Sequence, residues 1–570
     1  MAETLLSPGV LARETDQSFI QGQPVQAGAA VIGPAAKGPV GIPTLVTSYS
    51  EYQAIYGSDV TSGSQQYEYL TQTSANNYFS QGGTSLLVTR VASGSFTGAT
   101  STTIANSIDA TSASFELTTL SEGEIANSSG SEGTNNILTN GTKDNVRWEI
   151  TSVNTSSGVF SLLIRRGDDS SKQKNALETF SNLSLDPKAS NYISKVIGDT
   201  SHTVQQDGTD YYVKSNGTFV NKSKYVRVSA VNYPTPDYFD NNGVAKDAFT
   251  GSIPVVGSGS FSGATGALFN GPGAAKFNDS IDTNIQGLGQ TDYTESINLL
   301  SNTDEYKFNV ISVPGLNHSD HGTAVGLLVS TVESRTDAIA VIDLDGYGTG
   351  VSTIVNGASS FDTSYAAAYW PWLQTLNTTG QTVWVPASTM IPGVYAFTDK
   401  SSDAWFAPAG LTRGALGNVI KAERKLTSGN RDALYAANVN PIATFPGSGV
   451  VVFGQKTLQK RASALDRVNV RRLLIALKGF ISQVADNLVF EQNTAATRNN
   501  FLSQVNPYLE SVQQRQGLFA FKVQMDAANN GPDVVDRNQM VGAIFIQPTR
   551  TAEFIYLDFN ILPTGAEFPS

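Results

Sequence analysis

Phe308-Asn309-Val310-Ile311-Ser312-Val313, Gly322 to Glu333 and Ala338-Ile339-Ala340-Val341-Ile342 follow one another closely in this chain. The first and last are short, continuous apolar runs rich in β-branched residues, which predicts buried strands. The segment between them carries apolar residues at helical spacing. Strand, helix and strand in that order make a βαβ unit, and such a unit places a parallel sheet at the centre of the fold. Working outward, the same signature recurs upstream. Between Ala29 and Tyr56, runs such as Val31-Ile32 alternate with Gly33-Pro34 and with the Gly and Pro of Lys37 to Pro43, which predicts strands and turns. Tyr67 to Tyr78 predicts a helix, and Ser85 to Val91 a buried strand. At Ala92 the composition changes abruptly, marking a first domain boundary.

From 93 to about 290 the chain is rich in Ser, Thr, Gly and Asn, with β-like runs at Val146 to Ile150, Val159 to Ile164 and Tyr225 to Val231. This predicts an all-β insertion. Ser93-Gly94-Ser95-Phe96-Thr97-Gly98-Ala99-Thr100 returns as Ser258-Gly259-Ser260-Phe261-Ser262-Gly263-Ala264-Thr265. The copies are either matching segments at the two ends of the insertion or a product of low complexity. Beyond the βαβ unit, Leu416, Val419, Ile420 and Leu426 fit a helical face, and Leu465 to Val489 predicts a strong amphipathic helix. A further helix from Thr494 is expected to break at Pro507, with Asn506 capping a second piece that stops at Gly517.

The tail predicts three strands. Phe519, Phe521, Val523 and Met525 alternate with Leu518, Ala520, Lys522 and Gln524; Val541 to Ile546 and Phe554 to Ile561 follow. In the last, Ile555, Leu557, Phe559 and Ile561 share one face. Filling pockets with them contributes about 1.5 to 3 kcal/mol each, against about 1 kcal/mol net per backbone hydrogen bond. That face is buried either in the chain's own sheet or, by strand addition, in a neighbour's. Leu5, Leu6, Val10 and Leu11, around the Pro8-Gly9 interruption, leave the same two options for the N-terminal segment.

Composition excludes several chemistries. The chain has 570 residues, more than one core accommodates, so two to four compact units are expected. With 40% hydrophobic and 15% charged residues it is a folded protein with an uncharged polar surface. A net charge of -12 opposes binding to nucleic acid. The absence of cysteine removes disulfides, thiolate metal sites and cysteine nucleophiles. Neither a signal peptide nor an apolar run long enough for a membrane span is present, so folding in a cytoplasm, without membrane insertion, is expected.

His318-Ser319-Asp320-His321 has a spacing a metal could use, but a solvated loop after Pro314-Gly315 is the favoured setting, and no metal or cofactor is expected. Asp343-Leu344-Asp345-Gly346-Tyr347-Gly348 resembles the start of a calcium loop without its closing glutamate. Its glycines do not meet the dinucleotide fingerprint either. His321-Gly322-Thr323-Ala324-Val325-Gly326 resembles the histidine motif of subtilisin-like proteases, and Thr363-Ser364-Tyr365-Ala366 their serine motif. Asp362 stands where a glycine belongs, however, and no Asp-Ser-Gly or Asp-Thr-Gly precedes His321, so no catalytic residue is expected. A β-rich adhesin, suggested only by the insertion, would bind glycans or cells through residues 93 to 290. Arg467, Arg471, Arg472 and Lys478 give the helix from 465 a basic face, either solvated or set against an acidic protein.

Trp405-Phe406-Ala407-Pro408-Ala409-Gly410 with Arg413-Gly414, Arg431-Asp432-Ala433-Leu434-Tyr435, Asn440-Pro441 and Asp466-Arg467-Val468-Asn469-Val470-Arg471-Arg472-Leu473 resemble, in order and spacing, the contractile tail sheath proteins of myovirus-type phages. The resemblance continues through Asp536-Arg537-Asn538 and Ile544-Phe545-Ile546-Gln547-Pro548, and Leu5-Leu6-Ser7-Pro8-Gly9-Val10 resembles the family's N-terminal arm. The implied fold is α+β and multidomain: a mixed α/β core, a C-terminal α/β domain, an inserted β-rich protruding region and extended arms. The expected division is 1–22 arm, 23–92 plus 300–395 middle domain, 93–299 insertion, 396–545 C-terminal domain and 546–570 C-terminal strand and arm.

The resemblance implies a homo-oligomer of hexameric rings stacked helically around a tail tube protein. Baseplate and tail terminator proteins are the implied partners at its ends. Subunits are joined by arms that carry Leu5, Leu6, Val10, Leu11, Ile555, Leu557, Phe559 and Ile561. Contraction would drive the tube through the host envelope, in a virion assembled in the host cytoplasm. A bacterial phage-like injection system shares the fold and differs in gene context. The resemblance also makes Arg471, Arg472 and Lys478 candidates to face the tube.

Overall fold

The structure, a computed structural model, describes residues 25–62, 65–109, 111–267, 286 and 288–554. Its centre is an eight-stranded sheet. In chain order the strands are β1 Ala29–Gly33, β2 Thr44–Val46, β3 Leu86–Arg90, β4 Val310–Asn317, β5 Ile339–Asp343, β6 Ala366–Trp370, β7 Val439–Phe445 and β8 Gly449–Val452. Across the sheet they run β8-β7-β6-β5-β4-β1-β3-β2. Every pair from β7 to β3 is parallel, and only the edge pairs β7/β8 and β3/β2 are antiparallel. Every residue of β1, β3, β5 and β6 is buried, as parallel strands covered on both faces require. The expected βαβ unit is β4, helix α2 (Gly322–Arg335) and β5, with Val310 opposite Ile339. The ladder between β4 and β5 shifts register after Ser312. Pro314 has no N–H to donate there, and Gly315 takes a left-handed φ of 104° that a side chain would disfavour. Helices Leu70–Ser80 (α1) and Ala387–Ser401 (α3) pack on the sheet and on each other.

The C-terminal domain was expected from 396, and the structure moves that boundary. Leu416, Leu434, Val439, Ile442, Val450 and Val452 share one core with Ala340 and Val341. Strands β7 and β8 are remote from β6 in sequence but add to its edge, so the central domain extends through Leu458. Its successor begins on helix α4 (Val468–Asp486), which puts Val468 and Ile475 into the central core and Leu473, Leu477 and Val484 into a second one. That second core takes Phe501, Val505, Leu509 and Val512 from helix α5 (Ala495–Gln514). Helix α5 runs unbroken through Pro507, contrary to expectation. The lost bond and ring clash cost about 3 kcal/mol, and apolar side chains buried on both sides of the proline outweigh that.

The insertion has its own core, built on Phe115, Trp148, Phe160 and Phe261 between two four-stranded sheets. The repeated octapeptides form its neck. Gly98–Ser101 pairs antiparallel with Phe261–Ser262, Thr100 facing Ser262, and Thr97 and Thr265 bond through backbone and hydroxyl. The two copies therefore lie side by side, which explains the echo structurally. Arg90, at the end of β3, pins the neck: its guanidinium donates to the carbonyls of Ala35, Gly38 and Glu122 and lies over Phe96. Burial pulls its pKa down to about 10, so it stays charged at neutral pH. The hairpin of Ser201–Asp207 and Asp210–Asn216 reaches back, packing Val204, Tyr211 and Val213 against the central core. The insertion's end at 299 also shifts, because Tyr293, Ile297 and Leu299 belong to the central core.

One buried acid gives the central domain a pH dependence. Asp343, at the end of β5, accepts from the backbone N (3.1 Å) and hydroxyl (2.5 Å) of Ser388 at the start of α3. Burial pushes its carboxyl up to about 7, against the opposing pull of those bonds. Folding therefore favours the protonated acid, and this contribution to stability is lost as pH rises through about 7. Asp343→Asn is expected to melt below wild type at pH 5, because its amide meets a Ser388 donor. The deficit should shrink or reverse by pH 8.5, as read by calorimetry at both pH values.

Candidate functional site

The protease reading fails on geometry. His321 follows the carboxyl end of β4, whereas Ser364 precedes the amino end of β6. These strands point the same way in one sheet, so the two residues stand at opposite ends of it. The Ser364 hydroxyl accepts from Arg471. His318 packs edge-on against Phe361, and the backbone N of Asn317 donates to Nδ1 of His321. No group of three or more His, Asp or Glu that could hold a metal exists among the described residues.

The features that do stand out lie at the joint between the central and C-terminal domains and on the hairpin beyond it. Arg471 and Arg472 are not on a basic surface. Both are buried, 4% and 3% exposed. Arg471 lies over Tyr365, 4.0 Å from the ring centre. Arg472 pairs with Asp399 at 2.6 Å and covers the ring of Tyr395. The helix turns this side into the central domain, so these two cations are spent inside the chain, and Lys478 alone of the three candidates is exposed. Asn469 donates to the carbonyl of Trp405, Trp405 to that of Arg515, and Arg515 pairs with Asp403 at 2.8 Å. The domains are thus joined by polar bonds around one tryptophan. Arg472→Ala should cost about 2 kcal/mol, mainly from lost packing on Tyr395, since half-exposed Asp399 can rehydrate. A urea unfolding curve with an unchanged slope checks it.

Past α5, strands β9 (Leu518–Gln524) and β10 (Ala543–Pro548) form a two-stranded antiparallel sheet. Phe521, Val523, Ile544 and Ile546 pack toward α5. A register shift between Leu518 and Ala520 turns Phe519 out of the alternation, leaving it 75% exposed instead of sharing a face with Phe521. Phe545 and Phe554 are exposed as well. Both outer edges of this sheet are open among the described residues, so each presents unpaired N–H and C=O groups to any further strand. The third expected strand, with Ile555, Leu557, Phe559 and Ile561, lies outside the described residues. So does the N-terminal segment with Leu5, Leu6, Val10 and Leu11.

Just before that boundary sits a feature that sequence reasoning did not single out. The Glu553 carboxylate accepts from Arg467 Nε (2.7 Å) and Nη2 (2.9 Å), from the Tyr435 hydroxyl (2.7 Å) and from Gln455 Nε2 (3.1 Å). Gln455 also donates to the Thr551 hydroxyl. Lys456 donates to the Tyr435 carbonyl and lies over its ring. Burial alone would raise the Glu553 carboxyl, but the bonds from Arg467 and Tyr435 outweigh it and hold it below the usual range. Arg467 and Tyr435 both stand in the quoted motifs, but a carboxylate over a hundred residues from Tyr435 gives no local signal of their partnership.

Residues 286–458 match the phage tail sheath protein central domain and residues 461–562 the phage tail sheath C-terminal domain. The junction falls where the cores divide. The chain is 41% identical over 185 residues to the tail sheath protein of Vibrio phage KVP40 and 40% identical over 185 residues to that of Enterobacteria phage T4. Each alignment covers 32% of this chain and 28% of the relative. The fold is similar to the crystal structure of a sheath tail protein from Listeria innocua, with a TM-score of 0.51 and 11% identity over 92% of this chain and 95% of that one. Residues 286–458 and 461–562 are thus the central and C-terminal domains of the phage tail sheath family.

Proposed function

We propose that this chain is the structural subunit of a contractile phage tail sheath. It polymerises as hexameric rings stacked around a tail tube protein, with baseplate and terminator proteins at the two ends. The observation that carries this reading is a C-terminal sheet that has two strands and open edges among the described residues, in a chain that also carries apolar segments suited to strand addition around Leu5 to Leu11 and Ile555 to Ile561. The identity to sheath proteins of two phages supports a phage over a bacterial origin. Subunits assembled in the host cytoplasm would be trapped in a metastable lattice. Contraction moves them into one with more contact, and the tube is driven through the host envelope. The work comes from many small interface gains added along a polymer with two packings, so the reading requires neither nucleotide nor catalysis. Negative-stain microscopy of the purified protein, alone and with tail tube protein, tests it. Tubes with a helical repeat are expected, and dispersed particles under both conditions would refute it.

A further inference from the structure

We propose that Glu553 is the anchor that fixes where, and in which direction, the C-terminal segment leaves the subunit, so that the segment is presented in register to a second copy of the chain. The inference rests on the sheath reading and assigns that reading a positioning residue. Four hydrogen bonds from three separate places converge on this one carboxylate. Tyr435 comes from the helix Ser428–Ala436, Gln455 from the segment after β8, and Arg467 from the cap of α4. These places frame the seam between the two domains, so the anchor reads the relative placement of both.

Chain-local structure does not require such a site. Strand β10 ends at Pro548, and Thr549 donates to Gly517, which already closes the hairpin five residues before Phe554. From there to Glu553 the segment has no strand or helix of its own; the side chains of Thr551 and Glu553 tie it to the body through Gln455, Tyr435 and Arg467. A forked guanidinium on a carboxylate fixes angle as well as position. An arm that must reach one particular neighbour benefits from a fixed origin, because a wandering origin dilutes its effective concentration at the target.

Glu553→Gln keeps the shape and removes the charge, and Arg467→Gln removes the fork. In the monomer, tryptic cleavage after Arg550 reports release of residues 551–554. Each variant should be cut about tenfold faster than wild type, and the double variant no faster than either single one. Mean tube length under conditions where wild type polymerises should fall at least about fivefold, with the melting of the body unchanged. Unaltered cleavage would show that no anchor exists, and faster cleavage with tubes of normal length would show that it does not position the arm. Either result overturns the proposal while leaving the sheath reading standing. A wild type that makes no tubes refutes the sheath reading, and the positioning role with it.

Discussion

Deletion of residues 555–570 is expected to abolish polymerisation while leaving the body folded. The deleted segment carries Ile555, Leu557, Phe559 and Ile561 at alternate positions, which would share one face if the segment is a strand. At about 1.5 to 3 kcal/mol each, their burial in a neighbour contributes on the order of 6 kcal/mol or more per interface. Ordering and association costs reduce the net gain. Even so, losing the segment should lower the association constant by about 10⁴-fold, at about 1.4 kcal/mol per decade. The central core, the C-terminal core and the Glu553 anchor all lie before Ile555. Calorimetry should therefore show the same melting transitions with and without the segment. Deletion of residues 1–22 should act in the same direction. Loss of the body's transition in either variant would mean that the segment belongs to its own subunit's core.

The second large effect lies in the insertion. Asp169 accepts two bonds from Arg165, from Nε and Nη2 at 2.8 Å each, and pairs with Arg147 at 3.8 Å. All three side chains are about 1% exposed. Arg165 also pairs with Glu149, and Arg147 with Glu132. Asp169→Ala leaves two buried guanidinium groups short of a shared counter-charge, a change that costs about 3 to 5 kcal/mol. Because the insertion has its own core and a two-strand neck, its transition should fall by on the order of 10 °C while that of the central domain holds. A uniform fall of both transitions would mean that the insertion and the body melt as one unit.

The parts legible in the sequence were those decided by local pattern. Ala338 to Ile342 and Ser85 to Val91 read as buried strands because both faces of the central sheet are covered, leaving no polar alternation to misread. The parts that were not legible depend on distant partners. Helix α4 displays Arg471 and Arg472 at positions that read as a basic face. Only Tyr365, Tyr395 and Asp399, far back in the chain, show that this side is buried. The domain boundary was placed too early for the same reason, since β7 joins β6 across a long excursion that composition does not mark. A one-residue shift in β9 turned Phe519 away from the face that alternation would have it share with Phe521. The octapeptide echo held the opposite lesson, because a match cheap enough to arise by chance proved to be the two sides of one neck.

Assembly by strand addition depends on where the terminal segments go. A helical reconstruction of the polymer by cryo-electron microscopy, at a resolution that traces side chains, decides this directly. The account predicts residues 555–561 as a strand on an open edge of β9 or β10 in an adjacent subunit, with Glu553 still held by Arg467 of its own. Terminal segments folded back onto the subunit that carries them, with none crossing to another copy, would contradict it.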